Sequence, residues 1–334
     1  MPTCSNRDKD CQTFKEDDLD LSRFDFIVTG GAGFLGKPLV KKLSDIGCRS
    51  IWIPRSKRFD LTQSSHAKEM FQTICRDPRH TIVIHLAAEV GGIGANMKRP
   101  GRFFFANIAM GLNLIEESRK RGIYKFIQVG TVCAYPKFTP VPFNEDDIWN
   151  GYPEETNAPY GVAKKSLFVM LDAYNREYGM RSAIPVPVNL YGPEDNFNLE
   201  TSHVIPALIR KFLEAKENRK PQVECWGTGS ASREFLYVGD AADGIIEITK
   251  KVDNPTPINL GTGSEITIRD LSNKIADLCG YEGEIVWDSS KPDGQPRRCL
   301  DISKAKAYLG WEPKVGLDEG LKRTIDWYVK NRCG

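Results

Sequence analysis

Little in this chain points outward to a charged polymer or a bilayer. Its 46 lysines and arginines are nearly matched by 44 aspartates and glutamates, leaving a formal net charge of +2 over 334 residues. No overall field is left to hold nucleic acid or an anionic membrane, so a phosphate-bearing partner must be gripped locally. No stretch reaches the roughly 20 apolar residues of a membrane span, and the polar opening Met1 to Asp10 runs into no apolar signal segment. The nine cysteines form no Cys-x-x-Cys pair and no zinc-like spacing. That gives no motif for a metal and favours reduced thiols in a cytoplasmic setting. Internal repeats and low-complexity tracts are absent as well. Residues 1–23 read as a flexible N-terminal extension.

What is present is an alternation. Phe24 to Thr29 is a short β-branched and aromatic run that stops at a glycine cluster, and Leu39, Val40 and Leu43 then recur at helical spacing up to Gly47. Strand-like Ser50–Pro54, Thr81–Ala87, Lys125–Gly130 and Arg181–Asn189 continue to alternate with helix-like Ser65–Cys75, Phe103–Lys120 and Tyr160–Tyr178. Such a pattern predicts an α/β fold with a doubly wound parallel sheet of the Rossmann type over residues 24–192, to which later segments return. After Gly192 the rhythm loosens. Helical stretches at 204–216, 269–278 and 317–330 and β-like stretches at 222–226 and 234–238 predict a smaller C-terminal α/β substrate-binding lobe, residues 193–334.

Gly30, Gly33 and Gly36 fall at the first strand-to-helix turn, where glycine lets backbone amides approach a pyrophosphate at the positive end of a helix. A glycine cluster alone often reflects only a tight turn; this position in an alternating chain makes it a dinucleotide signature. About 20 residues further on, where an NAD site places an acid on the ribose, the chain has Arg55-Ser56-Lys57-Arg58. Cations there suit a 2′-phosphate, which predicts NADP(H) with Arg55 as its principal ligand.

Tyr160 and Lys164 lie four residues apart and share one helix face. A nearby cation can bring a phenol, which has a pKa of about 10, toward useful acidity. The strand ending at Gly130 delivers Thr131 and Cys133 to the sheet edge where open parallel sheets bind ligands.

The glycine loop, Thr131, Tyr160 and Lys164, with Asn189-Leu190-Tyr191-Gly192-Pro193 and Arg233-Glu234-Phe235-Leu236, resemble the extended short-chain dehydrogenase/reductase family. Four further segments are similar to the GDP-L-fucose synthase family within it. They are Glu89-Val90-Gly91-Gly92-Ile93-Gly94-Ala95-Asn96, Cys133-Ala134-Tyr135-Pro136, Ser202-His203-Val204-Ile205-Pro206-Ala207-Leu208 and Trp226-Gly227-Thr228-Gly229. The likeness runs from about Phe26 to Tyr328. Thr131 stands where serine is common in that family, and Lys211 where a second arginine often follows Arg210.

The resemblance implies NADPH-dependent 3,5-epimerisation and 4-reduction of GDP-4-keto-6-deoxymannose, on a homodimer without a metal. It makes Cys133 the base at C3 and C5, His203 the acid on the other face, and Thr131 and Tyr160 the donors to the enolate oxygen. Tyr160 then protonates O4 while Lys164 holds the nicotinamide ribose. It further implies cofactor contacts from Gly30, Gly33, Phe34, Leu35, Gly36, Arg55, Asp60, Leu61, Leu86, Ala87, Asn189, Leu190 and His203. Lys211 and Arg233 would meet the diphosphate, with Trp226 and Asp293 beside the sugar nucleotide. At the level of sequence, another GDP-sugar epimerase or 4-reductase on the same scaffold stays open, as does a non-catalytic NADP sensor. A 4,6-dehydratase would want an acid pair after Thr131, where Val132 and Cys133 stand.

Overall fold

The computed structural model describes residues 18–332, so residues 1–17 of the expected N-terminal extension lie outside the described residues. The inner end of the stretch read as an extension is docked on the domain. Asp20 caps a 3-10 turn over Leu21–Arg23, Leu21 is only 2% exposed, and the Leu19 amide donates to the Lys250 carbonyl. An apolar Leu21 next to Phe24 is the physical reason: the pair joins the core rather than solvent.

In chain order the elements are β1 (Asp25–Thr29), α1 (Gly36–Ile46), β2 (Ser50–Trp52), α2 (Ser64–Ile74), β3 (Thr81–His85), α3 (Ile93–Lys98), α4 (Pro100–Arg121), β4 (Lys125–Gln128), α5 (Ala158–Tyr178), β5 (Ser182–Pro187) and β6 (Asn189–Tyr191). There follow α6 (Val204–Glu217), β7 (Gln222–Trp226), β8 (Ser232–Arg233), β9 (Phe235–Tyr237), α7 (Val238–Lys251), β10 (Pro257–Leu260), β11 (Ile266–Thr267), α8 (Ile268–Cys279), β12 (Glu284–Asp288) and α9 (Leu317–Asn331). Six strands form one sheet in the order β10-β5-β4-β3-β1-β2, and every neighbouring pair in it is parallel. The chain moves outward from β1 to β2 and then returns to the other side of β1 as β3. Between β1 and β3 the two crossovers diverge, which opens a crevice at the carboxyl ends of the strands.

Burial explains the strands. Phe26, Ile27, Val28, Ile82, Val83 and Ile84 are all 0% exposed, as a parallel sheet covered on both faces requires. Helix α4 packs against α2 and α5, and α1 packs against α7. A second core gathers Ile205, Ile209 and Phe212 of α6, Leu271 and Ile275 of α8 and Leu321 of α9 around β7 and β12. Among the described residues all six cysteines are free, and no helix is long and apolar enough to cross a membrane.

Two elements differ from the sequence expectation. The strand expected over 181–189 breaks after Pro187, and β6 then pairs with β9 outside the main sheet. The stretch read as β-like up to Val238 ends at Tyr237, where α7 begins. Val238, Ala241, Ala242 and Ile245 fall at helical spacing and are buried, so burial of that face favours the helix. Strand β10, with no forecast in the sequence, closes the main sheet against β5.

Candidate active site

One cavity of about 1330 Å³ runs along the carboxyl edge of the main sheet and into the cleft beside the C-terminal lobe. It exceeds the about 300–1,000 Å³ of an ordinary small-molecule pocket, enough for two nucleotide-sized ligands. Every candidate named from the sequence lines it: Gly30, Gly33, Phe34, Leu35, Gly36, Arg55, Asp60, Leu61, Leu86, Ala87, Thr131, Cys133, Tyr160, Lys164, Asn189, Leu190, His203, Lys211, Trp226, Arg233 and Asp293.

At one end, β1 turns directly into α1. Gly30 has φ +72°, and a Cβ there would stand 2.8 Å from the Ala87 amide; a Cβ on Gly36 would stand 2.2 Å from the Gly30 carbonyl oxygen. Only glycine permits this approach of helix, turn and β3. The first turn of α1 carries neither a side-chain cap nor an acidic residue; the Lys37 and Leu39 amides already donate to the Gly33 and Leu35 carbonyls and Pro38 has no N–H, so the amides of Phe34, Leu35 and Gly36 are the ones left to face an anion. These features fit a dinucleotide pyrophosphate. Arg55, exposed at the end of β2, lines the same cavity. The nearby Asp60 carboxylate is occupied, accepting from the amide and hydroxyl of Thr62, and these bonds hold its pKa below the usual carboxylate range.

Deeper in, Thr131 caps the 3-10 turn Val132–Ala134 by accepting from the Cys133 amide at 3.2 Å. Helix α5 presses on this turn. A Cβ on Gly161 would lie 2.2 Å from the Cys133 carbonyl oxygen, so glycine at 161 lets Tyr160 reach Thr131. Burial pushes the Tyr160 phenol well above its usual pKa, the neighbouring Cys133 charge adds to this, and a hydrogen bond with Thr131 opposes it. Lys164 is 2% exposed. Its Nζ donates to the Val129 carbonyl at 3.1 Å, and burial drops its pKa to about 8. In the protein alone, therefore, desolvation outweighs the acidifying effect on the phenol that the Tyr160–Lys164 spacing suggests.

His203 stands at the N-terminus of α6. Protein surrounds its ring, and desolvation lowers its pKa; the side chain is nevertheless open to the cavity, so water there moderates the shift. Lys211 donates to the Glu224 carbonyl. Trp226 is 54% exposed at the rim. Asp293 ties the turn after Trp226 by accepting from the Thr228 amide and hydroxyl, each at 2.8 Å. Its own carbonyl accepts from Arg233 Nη2 at 2.9 Å. Burial, and then the charge of Arg298, bring the Arg233 pKa down to about 10.

Two features of the site had no forecast. Arg298 is buried in the cavity wall, one residue past the segment Asp293 to Arg297, whose resemblance to the family's C-terminal substrate loop already included the equally buried Gln295. Beneath the cavity, His85 is fully buried, and its Nδ1 is 2.7 Å from Thr29 Oγ1. Burial, with help from the Lys164 charge, keeps the His85 pKa far below normal. A histidine closing the apolar run Ile82-Val83-Ile84 was its sequence signal.

A doubly wound sheet with this glycine cradle and this Tyr/Lys pair defines an enzyme that uses a nicotinamide dinucleotide. The chain belongs to the NAD dependent epimerase/dehydratase family, whose pattern matches residues 26–261. Among relatives, it is 41% identical over 305 residues to the probable GDP-L-fucose synthase 1 of Oryza sativa subsp. japonica, covering 91% of this chain and 92% of that one. It is 36% identical to the GDP-L-fucose synthase of Escherichia coli, covering 93% and 98%. Among solved structures, the GDP-L-fucose synthetase of Naegleria fowleri bound to NADP superposes with a TM-score of 0.85 at 28% identity, over 96% of this chain and 98% of that one.

Proposed function

We propose that this enzyme converts GDP-4-keto-6-deoxy-D-mannose to GDP-L-fucose by inverting C3 and C5 and reducing C4 in one pocket. The observation that carries the reading is the meeting of Thr131, Cys133, Tyr160, Lys164 and His203 in the one cavity that also holds the glycine cradle. A 4-keto group acidifies the hydrogens on both neighbouring carbons, because the electron pair left behind delocalises onto the carbonyl oxygen. Cys133 removes such a proton and His203 returns one to the opposite face. Thr131 and Tyr160 donate to the oxygen on which charge develops, the kind of preorganised stabilisation that carries much of enzymatic catalysis. Each positioned proton transfer supplies about 10²- to 10⁴-fold.

The nicotinamide, when bound, supplies hydride to C4. Tyr160 gives its proton to O4, and Lys164 holds the ribose and restores the phenol. Desolvation holds the His203 pKa below its usual value, so its protonated form gives up a proton readily. Arg233 meets the diphosphate as a half-buried fork that a phosphate can satisfy bidentately, Lys211 adds a second cation, and Trp226 and Asp293 frame the nucleotide sugar. The cofactor is NADP(H) in preference to NAD(H): among the described residues Arg55 has no side-chain hydrogen bond or ion pair, leaving its guanidinium for the 2′-phosphate. Two copies associate through α4 and α5, whose outer surfaces expose Phe105, Leu112 and Val169.

Incubating the enzyme with NADPH and GDP-4-keto-6-deoxymannose should give a sugar with the L-galacto configuration of fucose. Cys133→Ser should stop epimerisation and still permit slow reduction of the unepimerised ketone. Proton exchange at C3 persisting at the parental rate in that variant would remove Cys133 from the role of base.

A further inference from the structure

Two guanidinium groups lie close together in the cavity wall, and neither has a carboxylate for a partner among the described residues. Arg233 donates to the carbonyls of Ser232 and Asp293. Arg298, 6% exposed, donates from Nε and Nη2 to Gln295 Oε1 at 3.2 and 3.1 Å. From Nη1 it reaches Asn189 Oδ1 at 3.4 Å and Cys133 Sγ at 3.8 Å. Gln295 is itself 4% exposed and anchored, its Nε2 donating to the carbonyls of Pro136 and Lys137. The guanidinium is thus held in one orientation by two neutral amides. Burying a cation among neutral partners is unfavourable unless an anion completes the site. The substrate diphosphate accounts for Arg233. Of the three side chains that Arg298 contacts, only the sulfur of Cys133 can take up a negative charge.

We propose that Arg298 is the resident counter-cation of the Cys133 thiolate, a positioning residue that keeps the sulfur ionised and aimed into the cavity before substrate arrives. The proposal deepens, and rests on, the reading of Cys133 as the base at C3 and C5. In each inversion a C–H bond breaks and an S–H bond forms, while the electron pair moves to the ketone oxygen. A proton then passes from His203 to the opposite face of the carbon, and the electron pair returns to it. The thiol gives its proton back, through water, to the imidazole before the second centre is inverted. An ordinary cysteine is only a few per cent thiolate at pH 7, so a fixed cation beside the sulfur raises the fraction of enzyme ready to begin.

The test is alkylation of Cys133 by iodoacetamide in the full-length enzyme without substrate, followed by peptide mass spectrometry from pH 5.5 to 9.5. Arg298→Gln should slow labelling of the Cys133 peptide about tenfold at pH 7 and leave the plateau at high pH unchanged, because an opposite charge at this range shifts ionisation by roughly one to three pH units. Arg298→Lys, which keeps the charge, should stay within about threefold of the parent. A loosened pocket would instead change the rate at every pH, plateau included, and that result overturns the proposal. So do superimposable profiles for the parent and Arg298→Gln, most plainly if the variant also raises KM for the GDP-sugar, for then Arg298 serves the diphosphate. Labelling is independent of turnover. If it shifts as expected while Cys133→Ser keeps C3 exchange, the thiolate pairing stands and the base assignment falls.

Discussion

Lys164 costs the fold stability that function requires, and replacing it with methionine should show how much. Burial lowers its pKa from 10.5 to about 8. A shift of that size corresponds to about 3 kcal/mol of penalty on the charged form in the folded state. Methionine keeps a similar volume and removes the charge. The Val129 carbonyl loses the lysine as a donor but keeps Gln128 Nε2 at 3.0 Å, so the lost hydrogen bond costs about 1 kcal/mol. The net gain is about 2 kcal/mol. For 334 residues the entropy of unfolding is about 0.7 kcal/mol/K, which gives a rise in Tm of about 3 °C at pH 7. The pH dependence has a definite sign. Below pH 8 the lysine is charged in both folded and unfolded chains, and the whole penalty is present. From pH 8 to 10.5 the folded lysine is neutral while the unfolded one still holds its proton, so the penalty shrinks and the advantage of Lys164→Met disappears. Calorimetry at pH 7 and pH 9.5 measures both points. A lower Tm for the variant at pH 7, or a difference independent of pH, would show that the buried Lys164 charge does not destabilise the fold. The same variant should have no measurable reductase activity.

Three further outcomes follow from the same geometry. Gly161→Ala puts a Cβ 2.2 Å from the Cys133 carbonyl oxygen; α5 must move back, which should cost about 1–3 kcal/mol of stability in a denaturant titration and reduce kcat at least tenfold. Arg55→Ala should raise KM for NADPH about tenfold and leave that for NADH nearly unchanged, since a single charge-assisted contact to phosphate is lost; equal effects on both cofactors would remove Arg55 from the 2′-phosphate. Tyr160→Phe should abolish NADPH oxidation, measured at 340 nm, while the variant still binds NADPH as followed by cofactor fluorescence.

The parts of this fold that were legible in the sequence are those where one local signal decides the outcome. The run Phe26-Ile27-Val28 must be buried on both faces, and the spacing of Gly30, Gly33 and Gly36 admits few structures other than a strand turning into a helix. Thr131, Cys133, Tyr160 and Lys164 were readable because a strand end and a helix face fix where their side chains go. Features that depend on distant pairing were hidden. Strand β10 acquires its role only by lying beside β5, and the break after Pro187 exists because β6 finds β9. Arg298 was missed for the same reason: charged and adjacent to Arg297, it looks like surface, and only the folding of its loop against Pro136 and Lys137 brings it to Cys133. Acidification of Tyr160 by Lys164 was the expectation most altered by structure, since spacing conveys proximity but not the depth of burial.

One ketone, held in one pocket, is deprotonated on both sides and then reduced in the proposed reaction. Running the reaction in D2O with NADPH and GDP-4-keto-6-deoxymannose, and assigning the product by NMR, tests it most directly. The product should be a fuco-configured sugar carrying solvent deuterium at C3 and C5 and protium from the cofactor at C4. A 6-deoxysugar that keeps the manno configuration at C3 and C5, with no deuterium at either carbon, would contradict it.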